Sequence, residues 1–356
     1  MSFTRSAAMT IIMLFFAFSA GALERPDVEF RIFQFPANMI PSIDGKTDDW
    51  NIVPESYAIG SDQLMDTVMG KGTNLDPKDL KAKVKVGWVK GMNRLYFLYE
   101  ADDDFWNMYP KRGDIFEVVV DGDLSGGQFI TNPQLDASNN HFNFKGVHSQ
   151  NYHIFTPPGE GRDWTMVWGC QPWIADFPYS NHAYSYNFKH GDSGHLVLEF
   201  YITPFDFAPY DGPDRAVESP LVENKLIGLS WSVLDYDEDN GKYEGFWNLS
   251  HQTRMDSNAS CQVAFRLMPL EKAFRKPIEA EWSFKVIDWD RRMVSFKDVS
   301  YGKIDSWKWD FDDGSSSNEQ NPIHTYEKHG VYSVTLTVSG PAGTANRIKV
   351  YEVGVK

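Results

Sequence analysis

Alternation of apolar and polar residues along the chain predicts β-strands. From Leu80 to Trp88 every even position is apolar and three odd positions are lysine, which is typical of a strand with one buried and one solvated face. A short loop at residues 91–94 and the apolar run Leu95–Tyr99 then predict a hairpin partner. Similar runs predict further strands at residues 114–121, 195–202 and 226–234.

The alternation resumes near the C-terminus and predicts a second unit. Trp307, Trp309 and Phe311 fall on one strand face, and residues 332–338 alternate apolar side chains with hydroxyls. Because the sequence has no long amphipathic helical pattern to cover the strands, the predicted fold class is all-β. We expect an N-terminal jelly-roll or β-sandwich at residues 28–269, a charged connector at 270–280, and a C-terminal immunoglobulin-like β-sandwich at 281–356.

The net charge and the N-terminal segment indicate which partners and which cellular compartment to expect. The formal net charge is −15, and so acidic a surface repels phosphate backbones, so nucleic acid is not an expected partner. Residues 1–22 combine Arg5, an apolar run and an Ala-Gly-Ala segment, which predicts a cleaved export signal too short to span a membrane. No later segment is long and apolar enough to cross a membrane, so we expect a secreted or periplasmic protein.

The chain has two cysteines, Cys170 and Cys261. In an oxidising compartment they either form a disulfide or remain two separate buried thiols, and the sequence leaves both alternatives open. Two cysteines are too few for a structural zinc site, and no nearby histidines have zinc-finger spacing.

Three motifs in the second unit carry a family resemblance. They are the segments 309–314 (WDFDDG), 321–326 (NPIHTY) and 330–338 (GVYSVTLTV). Together they make residues 282–353 resemble the PKD domain, an immunoglobulin-like module common in secreted bacterial proteins. Asp312 stands where that family usually has glycine, so an aspartate is expected to carry any positive φ at this position. The resemblance implies a spacer or adhesion module.

Five segments of the first unit carry a second resemblance. In chain order they are residues 43–50, 83–97, 113–121, 194–199 and 227–239. They resemble carbohydrate-binding module family 9, within a broader DOMON-like superfamily of sandwiches. The resemblance implies a polysaccharide or oligosaccharide ligand gripped by aromatic rings, often with bound Ca²⁺, and a place beside other secreted polysaccharide-degrading proteins.

Aromatic residues in predicted loops are the candidate ligand contacts. A pyranose ring has a face of C–H bonds that stacks on an indole or phenol ring, while polar neighbours bond its hydroxyls. The candidate ligand-binding residues are Trp106, Tyr109, Trp164, Trp173, Trp247 and His141, with Trp168 and Tyr179 in the same loops. The alternative is that each ring only packs a long loop against the fold.

Carboxylates at alternate positions after the strand at 226–234 suggest a cation site. Asp235, Asp237 and Asp239 lie in the segment DYDEDNG, and carboxylates packed this closely repel one another unless a hard cation compensates their charge. Ca²⁺ is therefore the expected cofactor. The alternative is a solvated acidic hairpin without an ion.

Two other interpretations stay open beside a binding function. Glu117 and Glu199 on predicted strands could serve a glycoside hydrolase or lyase, although the same residues could bond loop backbone instead. A DOMON-like haem or redox domain would need an axial ligand such as His141, His153 or Met166. Because the sequence has no familiar catalytic motif, the first expectation is a secreted, non-catalytic carbohydrate-binding protein.

Overall fold

The computed structural model describes residues 23–108, 113–128, 146–238 and 240–356. The chain divides into two compact units, Met1–Glu271 and Lys272–Lys356. The predicted export signal at residues 1–22 lies outside the described residues.

Regular structure in the described residues consists of strands and short 3-10 helices, which confirms the all-β prediction. The strands of the first unit are β1 (Glu29–Phe35), β2 (Ile59–Gly60), β3 (Met65–Asp66), β4 (Leu80–Val89), β5 (Leu95–Asp103), β6 (Ile115–Asp121), β7 (Gln150–Phe155), β8 (Thr165–Val167), β9 (Ser180–Ser185), β10 (Gly194–Ile202), β11 (Phe205–Phe207), β12 (Val217–Glu218), β13 (Leu226–Asp235), β14 (Gly245–Asn248) and β15 (Val263–Leu267). The 3-10 helices are Asp48–Ile52, Glu55–Tyr57, Ser61–Gln63, Pro172–Ala175, Pro213–Arg215, Thr253–Asp256, Ala259–Cys261 and, in the second unit, Lys272–Phe274. Within this part of the chain, no helix has the length and hydropathy needed to cross a membrane.

One hydrogen-bonded ladder runs through most of the first unit, in the order β8-β7-β6-β13-β15-β1-β4-β5-β10-β9. Strand β1 divides it into two layers, because its first half pairs with β15 and its second half with β4. Where β1 pairs with β4, Gly87 leaves room for the ring of Phe35. A Cβ at this position would come within 2.2 Å of the Phe35 ring, so a larger residue would displace that buried ring.

The main core lies between the two layers. Tyr99 of β5 stacks on Phe116 of β6 with ring centroids 4.4 Å apart, and Phe116 also lies near Phe200 of β10. Because Phe116, Val118 and Val120 face this core, the odd-numbered positions of β6 lie on the outer face of their layer. Glu117 is one of these outward residues, although the surrounding structure buries it.

The second unit is a smaller two-sheet structure with its own core. Its strands are β16 (Trp282–Asp288), β17 (Met293–Asp298), β18 (Ser306–Asp310), β19 (Ser316–Ser317), β20 (Ile323–Thr325), β21 (Gly330–Gly340) and β22 (Gly343–Val355). They form the sheets β16-β17-β20 and β19-β18-β21-β22. Trp282 and Trp309 meet edge to face in the core, with centroids 5.7 Å apart. Asp312 adopts a φ of 63°, so the aspartate does carry a left-handed conformation here.

Candidate functional site

Trp106 and Trp247, two of the predicted ligand contacts, are core residues. Their exposed fractions are 1% and 0%. Trp106 stacks on Phe188 and donates its indole N–H to the carbonyl of Gly194 at 2.9 Å. Trp247 on β14 faces the main core, while its neighbour Phe246 faces outward. A saccharide cannot reach either indole face, so both predictions are corrected to a packing role.

The remaining predicted contacts have different surroundings. Trp173 packs edge to face against Phe205 and donates its indole N–H to the carbonyl of Pro209 at 2.8 Å, so it pins a loop to the fold. Trp164 is 8% exposed, packs in the main core and stacks on His182 with ring centroids 4.6 Å apart; it borders a groove different from the one described next. Tyr109 and His141 lie outside the described residues.

An open groove lies on the outer face of the layer that contains β6, β7 and β13. Its volume is about 380 Å³, within the range of about 300–1,000 Å³ common for ligand pockets. Glu117 and His153, direct cross-strand partners on β6 and β7, form its floor. The aromatic residues that line it are Phe155, Trp168, Tyr236, Tyr243 and Phe246, and the other lining residues are Ile115, Arg162, Met166, Leu234 and Asp256. We call it the first groove.

Polar atoms on the floor of the first groove are only partly satisfied by the protein. The buried Glu117 carboxylate accepts a hydrogen bond from Asn151 Nδ2 at 2.9 Å. Nδ1 of His153 lies 3.7 Å from Glu117 Oε1 and is buried without a hydrogen-bond partner. Because a buried polar atom without a partner raises the free energy of the fold, a hydroxyl-bearing ligand that reached this imidazole would stabilise it.

Trp168 is the exposed indole of the first groove. It follows β8, and its backbone N–H donates to the carbonyl of Asn151 at 2.9 Å, which fixes the residue beside β7. Its exposed fraction is 42%, and its ring lies 6.4 Å from the His153 ring. The first groove therefore combines an accessible aromatic face with polar groups beneath it.

Glu117 and Glu199 do not form a catalytic pair. Glu199 lies on β10, on the outer face of the other layer. It accepts hydrogen bonds from the backbone N–H groups of Asp44 and Gly45 and from the indole N–H of Trp50, at 2.9, 3.2 and 2.9 Å. Burial raises the pKa of its carboxyl, against the effect of these hydrogen bonds. The residue holds the segment at 44–50 against β10, which is the structural alternative stated above.

Two of the candidate haem ligands, His153 and Met166, lie side by side in the first groove. His153 on β7 and Met166 on β8 are cross-strand partners, so their side chains leave the same face of the sheet. His141, the third candidate for an axial ligand, lies outside the described residues.

Asp235 and Asp237 meet three further aspartates at the open end of the β4–β5 hairpin. The carboxylate oxygens of Asp79, Asp104 and Asp237 lie within 4.8 Å of one another, and so do those of Asp103, Asp235 and Asp237. We call these five residues the aspartate cluster. Asp239, the third predicted ligand, lies outside the described residues.

The aspartate cluster has the electrostatics of a cation site. Both carboxylate oxygens of Asp235 and one of Asp237 are buried without a hydrogen-bond partner. Burial and then the neighbouring carboxylates raise the pKa of Asp237 to about 7 and hold that of Asp235 well above its ordinary value. Burial also raises the pKa of Asp121 to about 7, but Asp121 differs in that it accepts hydrogen bonds from two backbone N–H groups in its own loop. A hard cation fits the unpartnered oxygens of the cluster.

Asp79, Asp103 and Asp104 could have been found from the predicted hairpin. Asp79 directly precedes β4 and Asp104 follows β5, and the N–H of Asp104 donates to the carbonyl of Asp79 at 3.0 Å. A tight loop at residues 91–94 already brings these ends together. Their contact with the end of β13 depends on the order of strands across both layers, which the sequence does not show.

Cys170 and Cys261 are both free thiols. Cys261 is buried with Val119, Met255 and Ala259 on the outer face of β6. The disulfide alternative is therefore corrected, and the alternative of two separate thiols holds.

Comparison with known proteins assigns the second unit. Residues 290–355 match the family model described as PKD domain. These residues form a PKD domain. The PKD1 domain of Vibrio anguillarum Epp is a structural match, with 30% sequence identity, a TM-score of 0.20, and coverage of 22% of this chain and 95% of that one.

Curated sequences match over a short part of the chain. Collagenase ColQ1 of Bacillus cereus (strain Q1) is 48% identical over 46 residues, which is 13% of this chain and 5% of the collagenase. Collagenase ColA of Clostridium perfringens (strain 13 / Type A) is 46% identical over 55 residues, or 14% of this chain and 5% of the collagenase. The chain thus spans one twentieth of the length of these relatives.

Structural neighbours of most of the chain include carbohydrate-binding modules of family 9. One from Caldicellulosiruptor kristjanssonii, solved in complex with cellotriose, has a TM-score of 0.45 and 15% sequence identity, and the match covers 70% of this chain and 98% of that module. The same kind of module in complex with glucose has a TM-score of 0.43. The families named from the sequence, the PKD domain and carbohydrate-binding module family 9, are thus both among the matches.

Proposed function

We propose that this protein binds a neutral saccharide in the first groove without cleaving it. The observation that carries the proposal is the pairing of the exposed Trp168 ring with the buried Glu117 and the half-buried His153 beneath it. An indole face supplies stacking for the C–H face of a sugar, and the carboxylate and imidazole supply partners for its hydroxyls. The neutral charge of the ligand follows from the acidity of the chain.

The separation of the two glutamates supports binding over hydrolysis. A glycosidase places two carboxyl groups on either side of one glycosidic bond, about 5–10 Å apart. Here the main core lies between Glu117 and Glu199, and Glu199 is held by three protein donors. Glu117 is then a hydrogen-bonding group for a bound sugar.

We further propose that Ca²⁺ binds the aspartate cluster and braces the first groove. Asp235 and Asp237 belong to the cluster, while Tyr236 between them lines the groove. Tyr236 contacts Tyr243, with ring centroids 5.1 Å apart. An ion held by the aspartates would therefore fix the segment that carries these rings, and Asp239 remains a candidate for an additional ligand.

We propose that the protein acts after export. The pattern of residues 1–22 and the PKD domain support this, because that domain matches segments of bacterial collagenases. The PKD domain would then serve as a spacer or adhesion module. Other secreted polysaccharide-degrading proteins are the partners that such a binding protein would accompany.

Binding to neutral polysaccharides tests the proposal. Affinity electrophoresis of the full-length protein in gels containing glucan, xylan or mannan should show retardation by at least one polymer. Trp168→Ala and Glu117→Gln should each lower the affinity about 10-fold, equal to about 1.4 kcal/mol. Trp289→Ala is the matched control, because Trp289 is another exposed tryptophan and lies in the second unit.

Two outcomes would count against the proposal. Absence of retardation by every polymer, or equal effects of Trp168→Ala and Trp289→Ala, would remove the first groove as the saccharide site. Release of reducing ends by the wild-type protein, lost in Glu117→Gln, would show that the groove cleaves its ligand.

A further inference from the structure

A second groove adjoins the first. It lies between β8, at one end of the ladder, and β9, at the other end, and its volume is about 690 Å³. Phe155, Arg162 and Met166 line both grooves. The Arg162 guanidinium lies over the Phe155 ring, 4.2 Å from its centroid, so this pair and Met166 form a shared wall.

The second groove also combines aromatic rings with polar side chains. Trp164 is 8% exposed and belongs to the main core, and the half-buried His182 stacks on it, so His182 and the exposed Phe177 are the rings that a ligand can reach here. Asp163, Asp176 and Asn181 supply carboxylate and amide groups. These are the aromatic and hydrogen-bonding elements that a sugar residue requires.

Exposed apolar side chains connect the two grooves. Trp168 is accessible in the first groove, Met166 on the shared wall is 41% exposed, and Phe177 in the second groove is 79% exposed. A phenyl ring this accessible contributes little to folding, and a run of such side chains is typical of a binding surface. The accessible surface thus continues from one groove into the next.

We propose that the second groove is a second saccharide subsite, so that the ligand is a neutral oligosaccharide chain lying across the shared wall. This inference rests on saccharide binding in the first groove. We infer a chain of several sugar units because the two grooves share three lining residues, so one extended ligand can contact both grooves. Its neutrality follows from the net charge of the lining, because Asp163 and Asp176 outnumber Arg162 and the groove as a whole would repel a polyuronate.

A series of oligosaccharides of increasing length tests the second subsite. Isothermal titration of the full-length protein with cello-, xylo- and manno-oligosaccharides of one to six units should show an affinity that rises about 10-fold beyond two units. Phe177→Ser and Asp176→Asn should remove that increase while the affinity for the shortest ligand stays unchanged. Because Phe177 is exposed, its replacement is expected to fold, and Tyr210→Ser is a matched control at an exposed ring outside both grooves.

The outcomes separate this inference from the proposed function. The second subsite would be overturned by an affinity independent of ligand length, or by a Phe177→Ser variant that keeps the wild-type increase of affinity with length. Either result would leave the first groove as a site for a single sugar. Failure of the wild-type protein to bind any of these ligands or their parent polysaccharides would overturn both.

Discussion

At the scale of single residues, the donors around a carboxylate decide its role. Glu117 and Glu199 both point away from the main core, on opposite layers. Three protein donors converge on Glu199, so its carboxylate is a structural clamp. Glu117 accepts a hydrogen bond from Asn151 and lines an open groove. The surroundings of Glu117 therefore leave room for a ligand hydroxyl.

Glu199→Gln should weaken the fold without weakening saccharide binding. The amide offers one acceptor oxygen and turns an N–H₂ group towards donors, so we expect a loss of about 2 kcal/mol in the free energy of unfolding. Urea denaturation measures it, with Asp102→Asn as the control, because Asp102 is largely exposed on the neighbouring strand and its ion pair with the exposed His195 contributes little to stability. An unchanged urea midpoint, or a loss of affinity equal to that of Glu117→Gln, would contradict the structural role.

The burial of the tryptophans shows what residue type alone cannot predict. Aromatic abundance indicated rings available for stacking, yet Trp247 faces the core and Phe246 faces the groove region. On a strand one of two neighbours must point inward. Which one does so at β14 depends on its pairing with β13 and β3, and these contacts are distant in sequence.

At the scale of elements, local pattern and distant pairing contribute differently. The predicted strands at 80–88, 195–202 and 226–234 correspond closely to β4, β10 and β13, because period-2 alternation is a local property of the sequence. The division of β1 between two layers is not local, since it depends on pairing with both β15 and β4. The first groove and the aspartate cluster both lie where such distant pairings meet, so the sequence showed only parts of each.

Calcium should stabilise the protein through the segment that links β13 to β14. Ca²⁺ added to chelator-treated protein should raise Tm, with a gain of about 2.7 kcal/mol when free Ca²⁺ is about 100 times its Kd. Asp235→Asn should abolish this rise, because it removes a carboxylate whose two oxygens lack partners. In chelator the same variant should melt no lower than wild type, since one buried charge in a repulsive cluster has gone.

The control for this experiment is Asp102→Asn, one residue before Asp103 on the same strand and outside the aspartate cluster. It should keep the full Ca²⁺-dependent rise in Tm. Chelation should also lower the affinity for saccharide, because Tyr236 lies between two cluster residues. A wild-type Tm that Ca²⁺ leaves unchanged would remove the ion from the proposed function.

At the scale of the whole molecule, each unit has its own hydrophobic core, and the net negative charge of the chain governs its long-range interaction with charged ligands. Each unit buries its own set of apolar side chains, around Phe116 in the first and Trp309 in the second. The chain carries 49 acidic and 34 basic side chains. A surplus of this size repels polyanions at distances beyond any single contact, and salt screens that repulsion over about 10 Å at about 0.1 M ionic strength.

Salt should therefore affect neutral and acidic polysaccharides in different ways. Retardation by a neutral glucan or xylan should change little as salt is raised, because stacking and uncharged hydrogen bonds carry the contact. Polygalacturonate should retard the protein least at low salt, where the net charge of −15 repels it most strongly. The gels need a chelator, since Ca²⁺ could bridge carboxylates on the two partners. Stronger retention by the polyuronate at low than at high salt would reveal a basic recognition surface and would contradict a neutral ligand.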